Sequence, residues 1–164
     1  MAGGRRQYRT IDLEESRQVG QAGWMDESLI TLEQLLIHEV INLHGHLMDE
    51  GDFDDLAAIF VPEVVYDVSA LGGGQLVGTE AITSAARALG DANPLAHHVT
   101  NIVVTSLQGR TASARSKGLA VMPDGATGSV VYEDDLVRTE DGWRIAARRV
   151  LPRRRPLHRS GTDN

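Results

Sequence analysis

The 164-residue sequence predicts a single α+β domain in which helices precede an antiparallel sheet. Two observations lead to this class. Apolar residues recur at three- and four-residue spacing over residues 32–47, which is typical of an amphipathic helix, whereas alternation predominates from residue 97 onward. Turns at Gly109, Gly125 and Gly142 divide the alternating region into four strands that follow one another as a meander.

The helices are delimited by capping residues and breakers. Thr31–Gln34 has the pattern of a capping box and is predicted to begin the first helix, which ends at Gly51. A short second helix is predicted to begin after Asp52 and to end at Pro62. A third helix is predicted between Thr79 and Gly90.

The strands are recognised by β-rich composition and alternation. Residues 64–68 and 75–77 are predicted as two short strands joined by a glycine turn. The four strands of the meander are predicted at about His97–Ser106, Thr111–Val121, Ser129–Arg138 and Trp143–Leu151. Trp143 is predicted to pack in the core.

Composition excludes several functional classes. The chain has no cysteine, so disulfides, thiolate metal sites and a cysteine nucleophile are excluded. No apolar run approaches the roughly 18 residues of a membrane span, and the N-terminus lacks the apolar stretch of a secretion signal. We therefore expect a soluble, cytoplasmic protein that does not bind membranes.

The charges are distributed unevenly along the chain. Residues 28–147 carry 17 acidic and six basic residues, and an acidic body repels phosphates, so nucleic acid is not an expected partner. Arginines crowd the C-terminus between Arg148 and Arg159 and are predicted to contact another subunit or cover a pocket mouth. The predicted organisation is a flexible extension at 1–27, a folded domain at 28–151 and an arginine-rich tail at 152–164.

Six short segments occur in a characteristic order between residues 30 and 151: Met48–Leu56, Phe60–Glu63, Gly78–Ile82, His97–Asn101, Tyr132–Asp134 and Asp141–Ile145. Their order and spacing resemble the SnoaL-like family of the nuclear transport factor 2-like superfamily. The resemblance implies a strongly curved antiparallel sheet wrapped into a cone, with three helices closing a deep pocket. It also implies association through the convex sheet face into a homodimer or homotrimer.

Within that superfamily, the chain is similar to the scytalone dehydratase and hexachlorocyclohexane dehydrochlorinase branch. The resemblance implies that Asp49, at the end of the first helix, pairs with a histidine on the first strand of the meander. His98 matches that histidine best, and His97 is the alternative, because alternation sends the two side chains to opposite faces. Two positions depart from the dehydratase pattern: Met48 replaces a tyrosine, and Ser116 or a neighbour replaces a second histidine.

An Asp–His pair in an apolar pocket can abstract a proton without a cofactor. A neutral imidazole is a usable base at cellular pH, and an aspartate fixes its tautomer and stabilises the imidazolium. The predicted function is therefore elimination (a lyase or dehydratase), isomerisation or cyclisation of a small hydrophobic polyketide-, steroid- or terpenoid-like substrate. The alternatives are a non-catalytic small-molecule-binding module and a structural subunit of the same fold.

Further side chains are predicted to contact the substrate. Tyr132 shares a strand face with Asp134 and is predicted to polarise a substrate carbonyl, the alternative being a core aromatic residue. The remaining predicted substrate contacts are Met48, Phe53, Tyr66, Ser116 and Asp134.

Three histidines, His38, His44 and His46, lie on the first helix. Because no second ligand motif elsewhere in the sequence completes a tetrahedral set, we expect exposed helix histidines and no metal site. No phosphate-binding loop or serine-hydrolase elbow is present either. The sequence thus predicts no cofactor.

Overall fold

The computed structural model describes residues 27–153. Within this range the chain forms two α-helices, α1 (Glu27–Glu50) and α2 (Thr79–Leu89), together with six strands. The strands are β1 (Phe60–Asp67), β2 (Gln75–Val77), β3 (Ala96–Gln108), β4 (Thr111–Val121), β5 (Thr127–Thr139) and β6 (Gly142–Pro152). Short 3₁₀ helices occupy Phe53–Ala58, Ser69–Leu71 and Gly90–Ala92. The predicted α+β class is confirmed.

The six strands form one curved, open sheet in the order β2-β1-β6-β5-β4-β3. Strands β3 to β6 make the predicted antiparallel meander. The prediction of a wholly antiparallel sheet is wrong at one pairing, because β1 runs parallel to β6. The chain leaves β1, passes through β2, α2 and the meander, and returns beside β1 in the same direction; a long connection of this kind permits parallel pairing.

Two predicted boundaries differ from the structure. Helix α1 begins at Glu27, so Thr31 lies inside the helix and does not cap it. The predicted second helix is the 3₁₀ segment Phe53–Ala58, and Pro62 lies within β1. A proline is tolerated there because the pairing of β1 with β6 is irregular between Phe60 and Val65.

The core lies between α1 and the sheet, where α1 packs against β3 and β6. Its fully buried members include Ile37, Ile41, Leu56, Phe60, Val64, Leu136, Trp143 and Ile145. The predicted core position of Trp143 is confirmed, and its indole N–H donates to the Glu33 carboxylate at 2.6 Å. Arg138 donates to the same carboxylate, so the buried Glu33 side chain has two hydrogen-bond donors.

A bulge in β6 determines which side chains in the second half of this strand face the core. Asp135 pairs with Ala147 whereas Leu136 pairs with Ile145, so one residue of β6 is left unpaired. Before the bulge, Trp143 and Ile145 are buried, and after it the buried positions move to residues 148 and 150. The bulge therefore turns Arg148 toward the interior.

The predicted flexible extension and most of the arginine-rich tail fall in residues 1–26 and 154–164, outside the described residues. Arg148 and Arg149, the first arginines of that C-terminal cluster, lie within β6. The tail prediction is therefore wrong for Arg148, whose side chain is buried because of the bulge. Within residues 27–153, neither α1 nor α2 combines the length and apolarity that a membrane-spanning helix requires.

Candidate active site

The inner face of the sheet carries a row of site residues set by strand register. Tyr66 of β1 pairs with Arg148 of β6, which pairs with Asp134 of β5. In the neighbouring row, Tyr132 of β5 pairs with Ser116 of β4. These residues come from four separate strands, so the meander together with the parallel β1–β6 pair brings them to one place.

Arg148 and Asp134 form a fully buried ion pair. Arg148 Nε donates to Asp134 Oδ1 at 2.7 Å, and Nη2 donates to Oδ2 at 2.8 Å, with both side chains 0% exposed. Burial alone lowers the pKa of Arg148, but the Asp134 carboxylate outweighs it and holds that pKa above its ordinary value. The guanidinium also lies 4.5 Å from the centre of the Tyr132 ring, a cation–π contact.

His44 of α1 lies at the centre of an aromatic cluster. Its ring centre is 5.9 to 6.1 Å from the ring centres of Phe60, Tyr66, Tyr132 and His97. Its Nε2 is 3.3 Å from the Tyr66 hydroxyl. Burial, followed by the positive charge of Arg148 and by the neighbouring His97, holds the pKa of His44 well below its ordinary value, so the His44 imidazole is neutral.

The two tyrosines of the cluster remain protonated. Burial raises the pKa of Tyr66 far above its ordinary range, and the nearby Tyr132 acts in the same direction. Burial likewise raises the pKa of Tyr132, partly opposed by the positive charge of Arg148. Both phenols are therefore hydrogen-bond donors at every physiological pH.

Asp49 and His97 form a close pair at the rim of the cluster. His97 Nδ1 lies 2.6 Å from Asp49 Oδ1, and the His97 backbone N–H donates to Oδ2 at 2.8 Å. The two side chains are 22% and 19% exposed, so solutes reach a pair that is still partly desolvated. Both contacts depend on Gly45, because a Cβ there would lie 2.4 Å from the His97 carbonyl oxygen. Glycine at this position lets α1 approach the start of β3.

The predicted pairing of Asp49 with His98 is therefore wrong, and the alternative, His97, is the residue in contact. The physical reason is alternation along β3, which turns the two side chains to opposite faces. His98 pairs across the strands with Leu119, and both side chains are exposed. His97 faces α1 and its partner Asp49.

Small residues on β4 make room for the cluster. The inward positions of this strand are Ala112, Ala114, Ser116 and Gly118, all of them buried. A Cβ on Gly118 would lie 2.5 Å from the Tyr132 ring, so the ring occupies space that any larger residue would fill. Ser116, at the predicted position of the missing second histidine, is 2% exposed.

The other predicted substrate contacts have different surroundings. Met48 and Phe53 are half-buried and pack against the apolar core, and the Arg87 guanidinium lies 5.7 Å from the Phe53 ring centre. Tyr132 and Asp134 are almost fully buried in the cluster. Within residues 27–153, no group of three or more His, Cys, Asp or Glu side chains is arranged to bind a metal ion.

Sequence reasoning missed two members of the cluster. His44 was expected to be exposed, yet its spacing from Ile37 and Ile41 continues one apolar stripe, a signal that could have shown it to be buried. The inward orientation of Arg148 had no such signal, because strict alternation from Trp143 places residue 148 on the opposite face. His46, by contrast, is exposed as expected.

A groove of about 560 Å³ lies on the opposite, outer face of the sheet. Its lining mixes apolar residues such as Val65 and Ala147 with polar and charged ones, which include Asp67, Gln75, Arg115, Glu133, Asp135 and Arg149. Glu133 accepts a hydrogen bond from Arg149 at 2.5 Å, and Asp135 accepts one from Ser113 at 2.8 Å. The groove and the Asp49–His97 pair are thus separate features of the molecule.

Comparison with known proteins agrees with this architecture. Residues 31–149 match the model of a SnoaL-like domain, so the chain belongs to the SnoaL-like family. An uncharacterized protein of Mycobacterium tuberculosis is 31% identical over 134 residues, covering 76% of this chain and 90% of the relative.

Two solved structures from Novosphingobium aromaticivorans share the fold. A proposed aromatic ring hydroxylase is 27% identical with a TM-score of 0.65, covering 74% of this chain and 90% of the other. A proposed scytalone dehydratase is 20% identical with a TM-score of 0.62, covering 76% of this chain and 86% of the other. The predicted nuclear transport factor 2-like fold is confirmed.

Proposed function

We propose that this chain, as a member of the SnoaL-like family, is a cofactor-independent acid–base enzyme. The reaction is elimination, isomerisation or cyclisation of a small hydrophobic polyketide-, steroid- or terpenoid-like substrate. The observation that carries the proposal is the 2.6 Å contact between Asp49 Oδ1 and His97 Nδ1. Solved structures of the same fold include a proposed scytalone dehydratase.

The geometry supports a defined role for each partner of the pair. Asp49 accepts a hydrogen bond from the Nδ1–H of His97, and Nε2 of the neutral ring is therefore unprotonated and can act as the base. When Nε2 takes a proton from the substrate, the adjacent carboxylate stabilises the imidazolium that forms. The second contact, from the His97 backbone N–H to Asp49, holds the carboxylate in place before the reaction.

The aromatic neighbours support a hydrophobic substrate. The ring of His44 lies 6.1 Å from His97, and Tyr66 and Tyr132 surround it on the side of the core. A ligand entering between the pair and this cluster would exchange water for aromatic surface. Proton abstraction from carbon is the first step common to elimination, isomerisation and cyclisation, so one base serves all three reaction types.

We test the proposal by proton exchange, which needs no knowledge of the final product. Aromatic polyketide and terpenoid ketones are incubated with the protein in D₂O, and deuterium incorporation is followed by mass spectrometry. We expect catalysed exchange for at least one compound class, and His97→Ala should slow it by about 10²- to 10⁴-fold. His98→Ala changes the adjacent, exposed histidine and should leave the rate unchanged.

Equal rates for His97→Ala and the unmodified protein would contradict the proposal. Saturable binding of these compounds without any exchange would favour the alternative of a non-catalytic binding module. Asp49→Asn offers a second test, because it keeps the shape but removes the charge, and we expect a smaller rate loss than for His97→Ala.

The proposed partner is a second or third copy of the chain. The outer face of the sheet carries the groove, and its apolar lining together with paired charges such as Glu133 and Arg149 suits a contact between copies. Light scattering coupled to size exclusion should give the mass of a dimer or trimer. A monomer at micromolar concentration would contradict this part of the proposal.

A further inference from the structure

Three buried polar atoms in the cluster have no hydrogen-bond partner among residues 27–153. They are His44 Nδ1, Ser116 Oγ and Arg148 Nη1. The three residues are only 1%, 2% and 1% exposed, so bulk water does not satisfy these atoms. Buried polar groups in native proteins almost always have partners, so three unpartnered atoms in one cluster indicate a site for a bound ligand.

All three residues surround a single side chain, Tyr132. The His44 ring centre is 5.9 Å from the Tyr132 ring centre, and the Arg148 guanidinium is 4.5 Å from it. Ser116 is the cross-strand partner of Tyr132. The unpartnered atoms therefore belong to residues of α1, β4 and β6 that neighbour Tyr132, and the His44 ring centre is also 6.1 Å from that of His97.

The chemistry of these atoms favours an oxygen acceptor. The guanidinium of Arg148 only donates, and a serine hydroxyl donates readily to an oxygen. A neutral imidazole carries one hydrogen, and when His44 Nε2 accepts the Tyr66 hydroxyl, that hydrogen lies on Nδ1. All three atoms can then donate to a ligand oxygen.

We propose that His44 Nδ1, Ser116 Oγ and Arg148 Nη1 form a binding site for the carbonyl oxygen of a hydrophobic ketone substrate. This inference rests on the proposed function, and it narrows the substrate class to compounds with a carbonyl next to the carbon that loses its proton. Arg148 and His44 are binding residues in this account, and nothing in the sequence pattern had assigned them a role.

The reaction step balances without an oxidant or a cofactor. His97 takes the proton from the carbon next to the carbonyl, and the C–H electron pair forms the new C=C bond. The carbonyl π electrons move to the oxygen, which becomes an enolate held by the three donors. The enolate oxygen then re-forms the carbonyl, and either another carbon takes the proton back from the His97 imidazolium or a leaving group on the carbon β to the carbonyl departs with that proton.

The Arg148–Asp134 pair explains why a neutral carbonyl fits better than a carboxylate. Asp134 already accepts two hydrogen bonds from Arg148, so the buried pair is neutral overall. A permanently charged ligand would enter this site without a free countercharge, which is costly in a buried environment. A carbonyl enters uncharged and gains charge only in the transition state, where preorganised donors are most effective.

The test uses 2-naphthol, whose hydroxyl imitates the enol, beside its methyl ether 2-methoxynaphthalene. We expect the unmodified protein to bind 2-naphthol several-fold more tightly than the ether, as followed by naphthol fluorescence. Ser116→Ala should weaken 2-naphthol binding by about 2- to 10-fold and leave the ether unaffected. Ser113→Ala is the matched control, because that hydroxyl is on the same strand but bonds to Asp135 on the outer face.

Thermal unfolding of the apo protein gives an independent check. Removing a hydroxyl that has no partner should not lower the melting temperature, so Ser116→Ala should fold at least as well as the unmodified chain. Equal affinities for the naphthol and its ether would overturn the inference. So would a Ser116→Ala variant that binds 2-naphthol as tightly as Ser113→Ala does.

The outcomes also separate this inference from the proposed function. His97→Ala should still bind 2-naphthol, because the base is not part of the oxygen site. Exchange activity that depends on His97, without the naphthol preference, would overturn the oxygen site and leave the acid–base function standing. The naphthol preference without exchange on any ketone would support the oxygen site and contradict the acid–base function.

Discussion

Two ion pairs, formed by adjacent residues of the same two strands, differ in almost every physical respect. Asp134 and Arg148 pair on the inner face of the sheet, and Glu133 and Arg149 pair on the outer face. The inner pair is bidentate and both of its side chains are 0% exposed, whereas the arginine of the outer pair is 60% exposed. Each pair joins an acid of β5 to the arginine opposite it on β6, so the two differ in the face of the sheet that they occupy.

This contrast extends to the histidines and serines of the sheet. His97 contacts Asp49 next to the buried cluster, whereas the adjacent His98 is exposed. Ser116 is buried without a partner among the described residues, whereas Ser113 bonds to Asp135 on the outer face. The inner face therefore gathers the polar groups that are expensive to bury, which is how binding and catalytic sites are recognised.

Breaking the inner ion pair should lower stability more than any other change considered below. Asp134→Ala leaves the Arg148 guanidinium buried without its countercharge, and the free energy of unfolding should fall by about 3–5 kcal/mol. Glu133→Ala is the matched change on the outer face and should cost only about 0–1 kcal/mol, because the arginine it leaves behind is 60% exposed and stays hydrated. Urea unfolding followed by circular dichroism measures both values, and equal losses would contradict the contrast between the faces.

A second pair of substitutions tests the packing of the inner face. Gly118→Ala places a Cβ 2.5 Å from the Tyr132 ring, and the overpacking should cost about 1–3 kcal/mol. Gly128, in the neighbouring strand, has open space around it, and Gly128→Ala should be neutral or stabilise by up to about 1 kcal/mol. Melting temperatures that fall equally in both variants would show that the space occupied by Tyr132 is not the cause.

The smallest effect is a pH dependence of stability that originates from His44. Its pKa is lowered in the folded state, so below pH 6.5 the unfolded chain binds more protons and stability falls with falling pH. The full slope is about 1.4 kcal/mol per pH unit, and it ends once the pH passes below the folded-state pKa. Burial also lowers the pKa of His38, so His38 contributes to the slope of stability with pH in the same direction.

Unfolding titrations between pH 5.5 and 7.5 measure this slope. His44→Phe should reduce it and leave only the contribution of His38 and other groups. His46→Phe changes an exposed histidine on the same helix and should keep the slope of the unmodified protein. An unchanged slope in His44→Phe would show that the buried imidazole is not the titrating group.

The fold was largely predictable because its signals are local. Alternation and Gly-containing turns located β3 to β6, and the apolar stripe located α1. The parallel pairing of β1 with β6 was not predictable in the same way, because it joins segments separated by some 80 residues. Pro62 was predicted to end a helix, but it lies at an irregular point of strand β1.

The candidate site was predictable only in part, because it depends on which face of its strand each side chain occupies. The resemblance to the SnoaL-like family indicated Asp49, and alternation left His97 and His98 as alternatives that only the register of β3 could separate. Arg148 depends on the bulge in β6, which reverses the expected face and has no sequence signature here. Burial of Ser116 and Tyr132 followed the alternation of their strands.

The tautomer of His97 decides whether its Nε2 can act as the base. ¹⁵N–¹H spectra of histidine-labelled protein report which ring nitrogen of His97 carries the hydrogen. We predict that the hydrogen is on Nδ1, bonded to Asp49, and that Nε2 is free to act as the base. A His97 ring protonated on Nε2, or one whose signals do not change in Asp49→Asn, would contradict the account.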